Sequence, residues 1–171
     1  MLDTLRKRRS IRRYANRPIE PELIAQLKEA ALRSPTSQNR HPWRFFFVTD
    51  PELLEKLSHA KRQYADFLTT APLGVVVCAN ERVSDVWVED CAIAATILQL
   101  TATSLGLGSC WIQIRGDRFD AEGRLAEDVA RGLLALEPEM RVDAMLAIGY
   151  PAEEKPGWPA DRLPWEKVEE R

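Results

Sequence analysis

Two stretches of the sequence decide the fold: RRSIRRY at residues 8–14 and PTSQNRHPW at residues 35–43. The first places four guanidinium groups and one serine hydroxyl within seven residues. Arginine is permanently charged and can donate two parallel hydrogen bonds to phosphate oxygens, and a hydroxyl adds a neutral donor. The second is a polar loop between prolines whose hydroxyl, amide and backbone groups suit the edge of a planar heterocycle. Together they predict a site for a phosphorylated cofactor that carries a ring.

The arginine run at residues 8–13 has alternative interpretations. Arginines at the end of a short helix often form a solvated face or bind the last helical carbonyls. A basic N-terminus could also contact nucleic acid or an acidic protein, and the chain would then be an interaction domain without a cofactor. The polar loop at residues 35–43 favours the phosphate site over these alternatives.

Composition narrows the class of protein. The chain has 171 residues and a net charge of −2, which predicts one domain and argues against nucleic-acid binding through an overall positive field. No apolar run reaches the ~20 residues that span a bilayer, and residues 1–8 lack the apolar part of a secretory signal. The three cysteines form no CxxC pair and match no metal-site spacing, so we expect reduced core thiols and no metal. These features predict a cytoplasmic protein without membrane or nucleic-acid partners.

Hydrophobic spacing and turn residues predict alternating helices and strands. The predicted helices span residues 2–8, 21–34, 61–70, 84–104 and 120–134, and another begins at the Asp50-Pro51 pair. The predicted strands span residues 43–48, 73–79, 109–114 and 142–148. This alternation predicts an α/β or α+β fold around one central sheet. The domain is expected to cover residues 1–151, and residues 152–171 to form an extended arm that packs on the domain or on a partner subunit.

The helix at residues 84–104 is apolar over most of its circumference. A helix of this kind must be buried on most sides, either at the centre of the fold or against a second subunit. The glycines that follow it, Gly106 and Gly108, suit a left-handed helix cap.

No motif for protein-based catalysis is present. The sequence lacks GxSxG, a P-loop, HExxH and a GxGxxG fingerprint, and it has only two histidines. We therefore expect no catalytic side chain and a reaction carried by a cofactor.

Five motifs, in order along nearly the whole chain, resemble those of the nitroreductase-like flavoproteins. They are the two opening stretches, Ala71-Pro72 before a strand, GLGSCWI at residues 106–112, and IGYP at residues 148–151. The resemblance implies an α+β fold with three α/β/α layers, a mostly antiparallel central sheet and an intertwined homodimer. It also implies FMN bound noncovalently at the dimer interface, with both subunits building each site.

The resemblance assigns cofactor contacts to particular residues. The phosphate and ribityl chain would be held by Arg8, Arg9, Ser10 and Arg12, with Arg162 of the arm as a looser match. The pyrimidine edge and ribityl chain would be lined by Pro35, Thr36, Ser37 and Asn39. Backbone groups of Trp111, Ile112 and Gln113 would approach flavin N5. The chain departs from the family pattern at His41, where glutamine is usual, and at Gln113 and Ile114, where glycine or a short acidic segment is common.

The implied activity is transfer of hydride from NAD(P)H through flavin N5 to a small, flat, electron-poor acceptor such as a nitroaromatic or a quinone. Two alternatives keep the flavin. The chain could be an FMN carrier or sensor without efficient turnover, or it could belong to the relatives that dehalogenate substrates or fragment FMN. The acceptor and the choice between NADH and NADPH are not encoded in a recognisable motif.

Overall fold

Five α-helices and four β-strands alternate along the chain in the computed structural model, which describes residues 1–171. The helices are α1 (Leu2–Lys7), α2 (Pro21–Leu32), α3 (Pro51–Ser58), α4 (Trp87–Ser104) and α5 (Ala126–Leu133). The strands are β1 (Trp43–Val48), β2 (Leu73–Asn80), β3 (Gly108–Gln113) and β4 (Met140–Gly149). Single 3-10 turns occur at Ser37–Asn39, Asp66–Thr70, Ala160–Arg162 and Trp165–Lys167.

The strands form one sheet in the order β1-β2-β4-β3, and every neighbouring pair is antiparallel. β2 and β4 are central and almost wholly buried, whereas β1 and β3 are edge strands. One face of the sheet packs against α2 and α4, and the other packs against α3, α5 and the turn Asp66–Thr70. This is the three-layer arrangement with an antiparallel sheet that the family resemblance implied.

Most of the predicted elements are confirmed. β1 has the predicted bounds, and the Asp50 side chain caps α3 by accepting from the N–H of Glu52 at 3.0 Å. Gly106 follows α4 with a φ of 76°, as expected of a left-handed cap. The three cysteines are free and buried.

Two predicted helices are wrong in extent. Residues 61–65 are not helical, because the N–H of Arg62 bonds to the carbonyl of Phe119 at 2.8 Å. Residues 120–125 are not helical either, because the Asp120 carboxylate accepts from the N–H groups of Glu122 and Arg124 at 3.0 and 2.8 Å. A side chain that bonds to nearby backbone in this way competes with the helix. Both segments turn toward each other instead.

Helix α4 is buried along one side only. It begins at Trp87, three residues after the earliest predicted start at Ser84. Its buried residues face the sheet and α2, but Ile93 on the other side is 42% exposed. The expectation of burial on most sides is therefore not met within one chain.

The arm at residues 152–171 contains no buried residue. Its first part lies against the N-terminal segment, where the N–H of Ala152 bonds to the carbonyl of Arg13 at 2.8 Å. Further along, Trp158 and Trp165 are each 61% exposed. None of the helices is both long and apolar enough to cross a membrane.

Candidate functional site

The segment RRSIRRY lies along the outer edge of β3 and the end of β4. The N–H of Ile11 bonds to the carbonyl of Ser109 at 3.0 Å, and Ser10 forms a parallel bridge with Ser109. The buried Tyr14 hydroxyl donates to the carbonyl of Ile11 at 2.6 Å, and burial raises the pKa of this phenol. The apolar residues of the segment are thus anchors, which leaves its arginines outside the core.

Glycine makes this close docking possible. A Cβ on Gly108 would lie 2.8 Å from the Cβ of Ile11, and a Cβ on Gly149 would lie 2.9 Å from Cδ1 of Tyr14. Both distances are too short for ordinary carbon contacts. The segment therefore depends on bare backbone at the start of β3 and the end of β4.

We call the group formed by Arg8, Arg9, Ser10, Arg12 and Lys155 the basic edge. Lys155 Nζ donates to the carbonyl oxygen of Ser10 at 2.8 Å and lies 2.9 Å from the Glu153 carboxylate. Arg9 bonds to the carbonyl of Pro156, and its guanidinium is 5.6 Å from the Trp158 ring centroid. The side chains of Arg8 and Arg12 form no ion pair; the Arg12 guanidinium is 5.8 Å from the Phe67 ring.

The charges of Arg12, Lys155 and Arg8 act on Cys110, near the start of β3. Burial raises the pKa of the Cys110 thiol, and the charges of Arg12, Lys155 and Arg8 oppose that rise. The neighbouring Ser109 Oγ is buried and has no hydrogen-bond partner. Glu153 is the carboxylate of this region; it pairs with Lys155 and accepts from the N–H of Arg12 at 2.6 Å. The guanidinium groups of Arg8 and Arg12, which have no carboxylate partner, form with Ser10 a donor set that fits a phosphate.

The free edge of β3 continues this surface. Because backbone groups alternate sides along a strand, the N–H groups of Trp111 and Gln113 point to the same outer edge as Ser109. The Gln113 side chain is occupied, since its Oε1 accepts from Trp111 Nε1 at 3.0 Å and its Nε2 donates to the carbonyl of Arg115 at 3.0 Å. The Ile112 side chain is buried on the face of the sheet that packs against α3 and α5. Backbone donors, rather than side chains, are available here.

The polar loop, whose last residue Trp43 begins β1, is fixed to the beginning of α4. The N–H of Ser37 donates to Asp90 Oδ1 at 2.8 Å, and Ser84 Oγ donates to Asp90 Oδ2 at 2.9 Å. The N–H of His41 donates to Thr36 Oγ1 at 3.0 Å. Asn39 has a φ of 57°, a conformation that asparagine tolerates better than most residues.

Asn39 is exposed, as is Pro35, while Thr36 and Ser37 are half-buried. The loop thus presents polar groups on a constrained backbone. The buried Asp90 that holds it is absent from the sequence prediction, because it lies on a helix and is 53 residues from Ser37.

The basic edge and the polar loop lie at different ends of the sheet. Ser109 is paired with Ile148, which is in turn paired with Leu73 at the start of β2. Trp43 is paired with Ala79, near the end of β2. Six residues of strand correspond to about 20 Å, and the two regions also flank opposite edge strands. One chain therefore does not bring the two predicted halves of the site together.

Arg162 stands apart from the other predicted residues. It is exposed in the turn Ala160–Arg162, and its side chain forms no hydrogen bond or ion pair. Lys155 of the same arm is the residue that contacts Ser10. In the sequence, the one signal for Lys155 is its position in a charged segment just after the last strand.

The chain shares these features with known proteins. The family model described as "Nitroreductase family" matches residues 5–63 and 58–150. The chain belongs to the nitroreductase family. It is accordingly an oxidoreductase with the nitroreductase fold. A protein of Archaeoglobus fulgidus with the provisional name NADH dehydrogenase/NAD(P)H nitroreductase is 36% identical over 158 residues, which are 90% of this chain and 87% of that protein.

Solved structures and more distant relatives agree with this assignment. An FMN-dependent nitroreductase from Clostridium difficile R20291 superposes with a TM-score of 0.95 and 39% identity, covering 99% of this chain and 98% of that one. An iodotyrosine deiodinase of Thermotoga neapolitana is 25% identical over 188 residues, 95% of each chain. The nitroreductase family therefore includes a dehalogenating branch that is more distant from this sequence.

Proposed function

We propose that this nitroreductase-family protein is an FMN-dependent NAD(P)H oxidoreductase that reduces flat, electron-poor acceptors such as nitroaromatics or quinones. The observation that carries the proposal is the basic edge, where the side chains of Arg8 and Arg12 have no carboxylate partner and flank Ser10. An FMN phosphate would neutralise these charges and accept hydrogen bonds from the arginine side chains. The FMN dependence of the similar C. difficile protein supports the same cofactor.

The residues of the basic edge would hold the phosphate and ribityl chain. Arg8, Arg9, Arg12 and Lys155 supply charge-assisted donors, each worth about 1.5–3 kcal/mol when well formed. The N–H groups of Trp111 and Gln113 offer fixed donors to the ring. When bound, FMN supplies the two-electron redox chemistry that the side chains of this chain lack.

We also propose a homodimer in which each site combines the basic edge of one subunit with the polar loop of the other. The separation of about 20 Å along the strands of one chain supports this arrangement. So does the apolar outer side of α4, where Ile93 is exposed. In the dimer Pro35, Thr36, Ser37 and Asn39 of one subunit would line the ring held by the other.

The C-terminal arm fits the same arrangement. We propose that residues 1–151 form the cofactor-binding domain and that residues 152–171 pack across the partner subunit, which would cover Trp158 and Trp165. The Arg162 side chain, which has no hydrogen-bond or ion-pair partner in one chain, would contact the phosphate in such an assembly.

An absorption spectrum tests the cofactor. The purified protein is mixed with FMN, desalted and titrated anaerobically with NADH and then NADPH. We expect retained bands near ~375 and ~450 nm and bleaching by at least one nicotinamide. Retained but unbleached flavin would instead identify a carrier or sensor, and no retained flavin would reject the cofactor.

A paired set of variants ties the spectrum to the basic edge. Arg8→Ala/Arg9→Ala should release FMN, because two charge-assisted contacts are lost. Lys28→Ala/Lys56→Ala removes the same charge from exposed positions on α2 and α3 and should retain it. Equal retention by both double variants would contradict the assignment.

A further inference from the structure

A pocket of about 610 Å³ lies between residues 61–64 and residues 117–123, the segment that follows β3. Its walls are joined by the bond from the N–H of Arg62 to the carbonyl of Phe119 at 2.8 Å. Two exposed aromatic residues line the pocket: Tyr64 is 74% exposed and Phe119 is 44% exposed. Tyr64 also has a φ of 64°, which is unusual for a bulky residue.

Three cations of this pocket have no carboxylate partner. The side chains of Lys61, Arg62 and Arg118 form no ion pair within the chain. The carboxylate of Asp120, which lines the pocket, already forms an ion pair with Arg124 Nε at 2.6 Å. Asp117 is exposed and is the remaining carboxylate among the lining residues. Burial and the charge of Arg118 lower the pKa of Lys61, as expected for like charges held close together.

The pocket adjoins the proposed cofactor site. Residues 117–123, which form one wall, begin four residues after Gln113, the last residue of β3. Phe67, at the end of the segment that carries Tyr64, lies under the Arg12 guanidinium at 5.8 Å. The pocket is therefore connected along the chain to the strand whose N–H groups would contact the ring.

We infer that the pocket selects substrates that carry an acid group on a flat aromatic ring, with Lys61, Arg62 and Arg118 binding the anion and Tyr64 and Phe119 contacting the ring. A carboxylate or phosphate would offset the repulsion between Lys61 and Arg118 and accept hydrogen bonds from the three cations. Exposed aromatic rings favour stacking with another flat ring. This inference rests on the proposed function, for which it names the substrate class.

The anion could come from either partner in the reaction. It could be a phosphate of the nicotinamide nucleotide or an acid group on the electron acceptor. Two matched probe pairs separate these sources: para-nitrobenzoate against para-nitrobenzamide, and nicotinamide mononucleotide against nicotinamide riboside. Within each pair the ring is retained and the anionic group is removed.

Calorimetric titration of the FMN-loaded protein measures the preference without relying on turnover. We expect at least one anionic probe to bind about tenfold more tightly than its matched neutral or phosphate-free counterpart. Lys61→Gln/Arg118→Gln should abolish this preference while the flavin absorbance is retained. Arg118→Lys should keep most of it, because the positive charge remains.

The control is Lys28→Gln/Lys56→Gln, which lowers the net charge equally at exposed positions on α2 and α3. It should leave the preference unchanged. Equal binding within both probe pairs by the wild-type protein, or an equal loss in the control, would overturn the inference.

If the double pocket variant does not fold, Asp117→Asn serves instead and should tighten anion binding. Failure of the proposed function differs from all of these outcomes, since it shows as absence of flavin absorbance in the wild-type sample.

Discussion

The backbone N–H of Ile11 donates to the carbonyl oxygen of Ser109 at 3.0 Å, and the Ile11 side chain lies directly over Gly108. This pairing joins the N-terminal segment to the outer edge of β3. It places the arginines on either side of Ile11 beside the free backbone of that strand. The position of the basic edge therefore depends on one glycine that contributes no functional group.

Replacing Gly108 with alanine should displace the basic edge. The added Cβ would lie 2.8 Å from the Cβ of Ile11, which is close to the backbone and has little freedom to move. We expect a loss of about 1–3 kcal/mol in the free energy of unfolding and weaker FMN binding. Denaturant unfolding and FMN titration measure the two effects.

The control is Gly132→Ala in α5, where nothing lies within 4 Å of the added Cβ. Alanine favours a helix over glycine, so this variant should gain about 0.5–1 kcal/mol and bind FMN normally. Unchanged FMN affinity in Gly108→Ala would show that the basic edge does not depend on this contact.

Lys155 should contribute to cofactor affinity although it is remote in sequence from the arginines. Its Nζ contacts the Ser10 carbonyl at 2.8 Å and adds a positive charge beside Arg8 and Arg12. Lys155→Met removes the charge and keeps the length of the side chain. FMN affinity should fall by about tenfold or more, as for one lost charge-assisted contact. Lys167→Met, at an exposed position farther along the arm, should have no such effect.

The elements that sequence analysis predicted well are those specified by local signals. The run of aromatic and branched residues at β1, the Asp50-Pro51 pair before α3 and the glycine after α4 each encode their structure within a few residues. Proline fixes the first helical φ angle, and glycine allows a positive one. Such features do not depend on the rest of the chain.

The features that could not be predicted from the sequence depend on contacts between residues distant in sequence. Residues 61–65 have a helical pattern, but Arg62 bonds to Phe119, a residue that the topology brings alongside. Lys155 and Ser10 are 145 residues apart, and Asp90 and Ser37 are 53 residues apart. The sequence predicted both halves of the candidate site, yet their distance within one chain follows from the strand register. Only tertiary structure supplies that information.

Asp143 is a buried carboxylate that the proposed chemistry does not use. It lies in β4 where the register with β2 shifts, and its Oδ2 has no hydrogen-bond partner. Its Oδ1 is 3.4 Å from Arg115 Nε. Burial raises the pKa of this carboxyl from 3.8 to about 6, and the charge of Arg115 opposes the rise.

This raised pKa predicts a pH-dependent stability. Between about pH 4 and pH 6 the folded protein binds the Asp143 proton more tightly than the unfolded chain does, so stability decreases as pH rises through this window. A difference of about two pKa units corresponds to about 3 kcal/mol. Asp143→Asn should therefore be more stable than the wild type at pH 8 by up to that amount and nearly equal at pH 4.

Denaturant unfolding at several pH values tests this prediction. Asp161→Asn, in the exposed arm, is the matched control and should follow the wild-type profile. A parallel shift of Asp143→Asn at all pH values would mean that its effect comes from packing and not from ionisation.

A site shared between subunits should be recoverable by mixing two defective chains. Arg8→Ala/Arg9→Ala damages the basic edge, and Asn39→Gly removes the amide of the polar loop while keeping a residue that accepts the φ of 57°. If each alone retains no FMN, unfolding and refolding them together should restore about one quarter of the sites, since half of the dimers would be mixed and each would hold one intact site. Absorbance of the desalted mixture gives this fraction. No recovery from variants that still form mixed dimers would place both halves of the site within one chain and contradict the shared arrangement.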